Sequence, residues 1–222
     1  MNFLIKLIIF ISIDIYIFIS FGKPYGFLGI GFILYYLFDI LSIFHSLKIS
    51  SGNFNGGVAY LKDYQGPLHN PQAFKDSLYL IKNFKLKDFV IIGIYYDKPD
   101  EVEQNKLRYS IGIFKKKGSN KGTINKDFEN YCNKNNFYHV EFPDTASICS
   151  SWKYSNFFSM MVGIAKFNQL IKKNLDDETF RNMHKITEKP KIVIELYVNE
   201  SDMEFYIPTA NVDKFLVYRK KE

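Results

Sequence analysis

The stretch IIGIYYDKPDEVEQNKLRYSIGIF, residues 91–114, contains two apolar runs that are separated by a polar connection. The runs extend to residues 89–96 and 107–114, and the connection opens with the turn-forming sequence Asp97-Lys98-Pro99-Asp100. In the second run, large apolar side chains alternate with small or polar ones, which is typical of a strand with one buried face. The stretch therefore predicts an antiparallel β-hairpin.

Further strands and helices are predicted on both sides of this hairpin. They are a strand at 58–64, a helix at 71–84, strands at 137–142 and 145–154, a helix from 157, and strands at 191–198 and 203–207. The order strand, helix, strand, strand occurs twice. The predicted fold class is therefore α+β, with a duplicated βαββ domain at 58–217 built on an antiparallel sheet.

The segments that flank this domain differ from it in composition. Residues 48–57 are rich in Gly and Asn and are predicted to be a flexible linker. Residues 218–222 are predicted to be a short basic tail.

Two long apolar segments precede the linker. Residues 3–21 and 27–44 are each close to the roughly 20 residues that a helix needs to cross a bilayer. Each carries one acid, Asp14 or Asp39, whose insertion cost of about 3 kcal/mol is outweighed by the many Phe, Leu and Ile residues. Residues 1–47 are therefore predicted to be a membrane anchor, as one span or as a two-helix hairpin, with the lipid bilayer as a partner.

The charge and the cysteine content exclude several classes of protein. The formal net charge is +6, but the lysines are spread among acidic residues, so we expect no nucleic-acid partner. The two cysteines, Cys132 and Cys149, lack the spacing of a zinc site or of a disulfide framework. We find no metal-ligating or catalytic constellation and expect neither a cofactor nor enzymatic activity.

Several short motifs resemble one known family. They are Ile94-Tyr95-Tyr96-Asp97 with Pro99, Arg108 and Gly112, then Phe142-Pro143, Glu195-Leu196-Tyr197 and Phe205-Tyr206-Ile207-Pro208. In this order they resemble the gyrase-inhibitory-protein-like (GyrI-like) fold, and within it the testis-expressed membrane proteins that act as autophagy receptors of the endoplasmic reticulum (ER).

The resemblance implies a location and a set of partners. It implies a domain that faces the cytosol on the ER membrane and acts as an adaptor in ER-phagy or ER quality control. It also implies an autophagy modifier or a segregase ATPase as a partner. A membrane-anchored, non-catalytic adaptor is thus the main functional prediction.

A different function is predicted around Glu195. This carboxylate shares a strand face with Val193 and Tyr197, so it must be exposed, salt-bridged or engaged by a ligand. In multidrug-binding relatives of the GyrI-like fold, a similarly placed acid binds lipophilic cations between aromatic walls. The candidate ligand-binding residues here are Glu195, Trp152, Tyr95, Tyr109 and Tyr197. The alternative function that this resemblance implies is therefore binding of a small hydrophobic ligand such as a lipophilic cation, or weak hydrolysis with Trp152 beside Glu195.

Overall fold

The computed structural model of the chain describes residues 12–13, 15–16, 19–20, 45–68, 70–118, 125–184, 186 and 192–219. The apolar segment 27–44 lies outside the described residues, and so does segment 3–21 except for the six residues 12–13, 15–16 and 19–20. Within the described part of the chain, no helix is both long enough and apolar enough to cross a bilayer. The membrane anchor stays a prediction.

The chain divides into two compact units, residues 1–46 with 154–165 and residues 47–153 with 166–222. The second is called the sheet unit, because it carries every strand of the described residues.

The described residues from 50 onward include eight strands and four α-helices. In chain order these are β1 (Ser50–Phe54), β2 (Gly57–Gln65), α1 (Pro71–Asn83), β3 (Val90–Tyr95), β4 (Arg108–Lys116), α2 (Lys126–Lys134), β5 (Tyr138–Phe142), β6 (Thr145–Lys153), α3 (Phe157–Leu175), α4 (Glu178–Met183), β7 (Val193–Tyr197) and β8 (Asp202–Pro208). The hairpin predicted from residues 91–114 is confirmed, since β3 and β4 pair antiparallel. The α+β class with an antiparallel sheet is confirmed as well.

Local sequence accounts for where the first two helices begin. The Asn70 side chain accepts a hydrogen bond from the backbone N–H of Gln72, and Pro71 occupies the first turn, where no backbone donor is needed. The Asn125 side chain caps α2 in the same way by accepting from the N–H of Phe128. The start of each of these two helices is thus capped by a residue next to it in the sequence.

All eight strands belong to one sheet with the order β1-β6-β8-β7-β3-β4-β2-β5. Every neighbouring pair is antiparallel. The units β2-α1-β3-β4 and β6-α3-β7-β8 are the two βαββ repeats, and they join through β3 and β7 at the centre of the sheet.

The two repeats exchange their outer strands. β1 precedes the first repeat but pairs with β6 of the second, while β5 precedes the second repeat and pairs with β2 of the first. β1 and β2 start at residues 50 and 57, and β5 and β6 start 88 positions later, at residues 138 and 145. Each structural repeat is therefore ββαββ, one strand longer than predicted.

This exchange corrects the prediction of a flexible linker at 48–57. Residues 50–54 of that segment are strand β1, and Phe54 is fully buried. The Gly and Asn residues suggested a linker, but pairing with β6 and burial of one aromatic ring stabilise an extended strand.

The two faces of the sheet are covered differently. α1, α2 and the 166–175 part of α3 lie on one face, called the helix face, through the ring contacts Phe74–Tyr197, Phe128–Tyr60 and Phe167–Phe205. The opposite face, called the aromatic face, holds the packed rings of Phe54, Phe114, Phe142 and Phe215.

The prediction of a basic tail at 218–222 is also corrected for its first two residues. The ring of Tyr218 packs against Tyr96, and the backbone N–H of Arg219 donates to Asp63 Oδ2 at 2.7 Å. The Arg219 guanidinium lies 4.2 Å from the ring centroid of Tyr138. These residues belong to the packed structure because buried or half-buried partners on β2, on β5 and directly after β3 hold them.

Candidate ligand-binding site

Glu195 lies at the centre of the sheet. It belongs to β7, where it pairs with Gly93 of β3 on one side and with Phe205 of β8 on the other. Because paired residues project to the same side of a sheet and alternate residues do likewise, Glu195 and Tyr197 share the helix face, as the sequence predicted. Only 4% of the Glu195 surface is exposed.

Two tyrosine hydroxyls bond to the Glu195 carboxylate. The Tyr197 hydroxyl donates to Oε2 at 2.7 Å, and the Tyr95 hydroxyl is also hydrogen-bonded to this carboxylate. Glu195, Tyr95 and Tyr197 are thus a connected polar cluster, which we call the Glu–Tyr cluster.

The Glu–Tyr cluster carries an acidic group in a poorly solvated place. Burial raises the pKa of Glu195 to about 7, although the hydrogen bonds from Tyr197 and Tyr95 lower it in part. Burial, together with the nearby Glu195 charge, raises the pKa of both tyrosines well above its ordinary value. Among the described residues, Glu195 takes part in no ion pair. The cluster therefore contains a carboxylate whose charge has hydroxyl donors but no described cationic partner.

Aromatic rings surround the cluster on the side of the first repeat. The ring of Phe74 in α1 meets Tyr197 edge-on at 5.1 Å between centroids. Tyr109 stacks on Tyr95 at 6.1 Å, and Tyr64 stacks on Tyr109 at 5.7 Å. Phe74 and Tyr95 keep partial exposure, so they form the accessible edge of the cluster.

The fifth predicted residue, Trp152, lies further away. It is buried on β6 and shares the helix face, but Met203 of β8 stands between it and Tyr197 in the register. The Lys166 ammonium of α3 lies 5.2 Å from the centroid of its ring. The structure thus brings Glu195, Tyr95, Tyr197 and Tyr109 into one connected set and places Trp152 two strands from Glu195.

Three residues of this region were not among the predicted site residues. Phe74 and Tyr64 contribute rings, and Gly93 faces Glu195 across the central strand pair. The alternation in β3 could have placed Gly93 on the face of Tyr95. No local pattern indicates that β3 and β7 are neighbours.

In the part of the chain that the structure describes, no group of three or more His, Cys, Asp or Glu side chains is close enough together to hold a metal ion.

No protein-family model matches the chain, and no curated protein sequence matches it. Among solved structures, the EcmrR C-terminal domain is similar at 12% identity and a TM-score of 0.45, over 73% of this chain and 96% of that one. SAV2435 bound to tetraphenylphosphonium is similar at 11% identity and a TM-score of 0.44, over 75% and 96%. A hydrolase from Listeria innocua is similar at 10% identity and a TM-score of 0.45, over 76% and 96%.

Likeness at these values carries no argument about family or function. Because no family model matches, the resemblance to testis-expressed ER-phagy receptors stays a prediction. The same holds for the ER location and for the autophagy-related partners.

Proposed function

We propose that the sheet unit is a GyrI-like binding domain for a bulky apolar organic cation, with Glu195 as the anionic anchor. This is the alternative function named from the sequence, and it is favoured here over the membrane adaptor because the described residues offer a site for it. Ionised, a carboxylate at this depth is costly unless a positive charge accompanies it. A cationic ligand would supply that charge.

The observation that carries the proposal is the Glu–Tyr cluster. Its carboxylate is 4% exposed and has two phenol donors, while no described lysine, arginine or histidine pairs with it. Phenol donors orient a carboxylate without neutralising it, so the site keeps its attraction for a cation.

The surrounding rings suit the same kind of ligand. A cation near the face of an aromatic ring is attracted by about 0.5–2 kcal/mol, and Phe74, Tyr95 and Tyr109 provide such rings beside the carboxylate. Since Glu195 is buried, the ligand would enter by displacing the partly exposed side chain of Phe74.

The test is binding of tetraphenylphosphonium to the full-length chain at pH 8, where Glu195 is ionised, measured by equilibrium dialysis. We expect the wild-type protein to bind, and Glu195→Gln to bind at least about tenfold more weakly, or 1.4 kcal/mol, because it keeps the shape but loses the charge.

Glu204→Gln is the matched control. Glu204 lies on the adjacent strand β8 but projects to the aromatic face, where Tyr206 donates to it at 2.7 Å. Its substitution is expected to leave binding unchanged. Wild-type protein that binds no more than Glu195→Gln would overturn the proposal.

A further inference from the structure

The two repeats are related by a pseudo-two-fold axis that passes through the site. Gln65 pairs with Arg108 at the end of β2–β4, as Lys153 pairs with Asp202 at the end of β6–β8. One strand further in, Tyr95 pairs with Tyr109, as Tyr197 pairs with Met203. Tyr95 and Tyr197 are therefore equivalent positions, and so are Gly93 and Glu195, which face each other across the axis.

This equivalence makes the site asymmetric in one respect. Both repeats supply a tyrosine, but only the second repeat supplies a carboxylate. At the position equivalent to Glu195, the first repeat has Gly93, which has no side chain. The backbone does not require glycine there, because Gly93 is not among the described residues with positive φ.

The space beside Gly93 is taken by the phenol of Tyr95. A β-carbon on residue 93 would lie 2.9 Å from the Tyr95 hydroxyl oxygen and 3.0 Å from its Cε2 atom. Contacts this short would push the ring away, and the ring end of a side chain can swing more easily than backbone can move. The hydroxyl that would be displaced is one of the two that bond to Glu195.

We infer that Gly93 is a positioning residue of the binding site. Because it has no β-carbon, the Tyr95 phenol can lie over residue 93 of the same strand and hold the Glu195 carboxylate. The two equivalent tyrosines, one from each repeat, then hold the same carboxylate, and the site presents a single anion to its ligand. The role in ligand binding rests on the proposed function, whereas the positioning of Tyr95 does not.

The titration of Glu195 tests the positioning directly. It can be followed without any ligand by 13C NMR of the glutamate side-chain carboxyl carbons in the full-length chain, with the resonance assigned from Glu195→Gln. The Tyr95 hydrogen bond favours the ionised form of Glu195 and so lowers its pKa. Charged groups beside the outer rings are Asp76 of α1 and Lys62 of β2, which pair with each other at Tyr64, and Lys166 of α3 at Trp152.

We expect Gly93→Ala to shift the Glu195 midpoint upward, in the same direction as Tyr95→Phe, which removes only the hydroxyl. The double variant should shift it no further than Tyr95→Phe alone, because both changes act through one hydrogen bond. An unchanged midpoint in Gly93→Ala, or shifts that add in the double variant, would show that Gly93 does not act through Tyr95.

Gly52→Ala is the matched control for adding a β-carbon to a strand. That β-carbon would meet the Cys149 thiol at 2.8 Å, in the β1–β6 pair and away from the Glu–Tyr cluster. It is expected to leave the Glu195 midpoint in place even if it lowers the melting temperature.

A stability measurement covers the case in which Gly93→Ala folds poorly. In a Tyr95→Ala background the added β-carbon has no phenol to meet, so Gly93→Ala should then cause little further loss of melting temperature. If Tyr95→Ala folds and the double variant does not, the steric link between residues 93 and 95 is wrong.

Tetraphenylphosphonium binding separates the two proposals. If the wild-type protein binds and Gly93→Ala binds with equal affinity at pH 8, Gly93 has no role in the binding site. Absence of wild-type binding contradicts the proposed function, and the NMR titration still decides whether Gly93 positions Tyr95.

Discussion

At the scale of single residues, Glu195 combines two opposing effects. Burial makes its charged form unfavourable, while the hydroxyls of Tyr95 and Tyr197 stabilise that form in part. The net effect leaves the pKa of Glu195 at about 7, above its ordinary value. Without a ligand, the folded protein therefore binds a proton at this site more tightly than the unfolded chain does.

This proton linkage predicts how stability changes with pH. Because the folded-state pKa lies above the unfolded one, the contribution of Glu195 to stability falls as the pH rises from about 4.5 to about 7, by a total of about 3 kcal/mol. Glu195→Gln has no titrating group at this position. Its free energy of unfolding should therefore fall less between pH 4.5 and pH 8 than that of the wild type.

Urea denaturation of both proteins at the two pH values measures the effect. Glu141→Gln, at an exposed acid on β5, serves as the control and should follow the wild-type pH dependence. An equal pH dependence in Glu195→Gln and wild type would show that Glu195 does not titrate in this range.

At the scale of elements, β1 shows how a strand can form from a sequence with little strand propensity. Its sequence SSGNF contains one large apolar side chain, Phe54, and that ring is in contact with rings from four other segments. Antiparallel pairing with β6 satisfies the backbone groups. Burial of a single ring at a sheet edge thus decides between strand and linker.

Truncation of this ring should therefore destabilise the whole sheet unit. Phe54→Ala is expected to lower the free energy of unfolding by about 3–5 kcal/mol, because it leaves a cavity among the packed rings. Asn53→Ala, at the exposed neighbouring position, should change it by no more than about 0.5 kcal/mol. Urea titrations compare the three proteins, and a Phe54→Ala loss as small as that of Asn53→Ala would favour the flexible linker.

At the scale of the whole molecule, the exchange of β1 and β5 interlocks the two repeats within the sheet unit. β1 contributes five residue pairs to the second repeat, and β5 contributes five to the first. The central pairing of β3 with β7 joins them a third time. Each repeat therefore depends on the other in two ways. The other repeat supplies its outermost strand, and it also supplies the hydrogen-bonding partner of its central strand, β3 or β7.

This interlocking predicts that neither half folds alone. Residues 1–118 and 119–222, produced separately, should each give amide NMR spectra with poor dispersion. When mixed, they should assemble and recover the dispersed spectrum, because every exchanged strand finds its partner. A well-dispersed spectrum from either half alone would contradict this dependence.

Local sequence patterns were enough to predict the α+β class, the β3–β4 hairpin, the strand–helix–strand–strand order of both repeats and the strand face that Glu195 shares with Tyr197. These features follow from local patterns: turn residues, helix caps and the two-residue period of a strand. The tertiary structure alone decided that β1 joins β6, that β3 lies beside β7, and that Glu195 therefore meets Gly93 and Tyr95, some hundred positions earlier in the chain. The physical reason is that a strand pattern specifies which face a side chain occupies, whereas the neighbouring strand is selected by hydrogen-bond pairing and burial across the whole sheet.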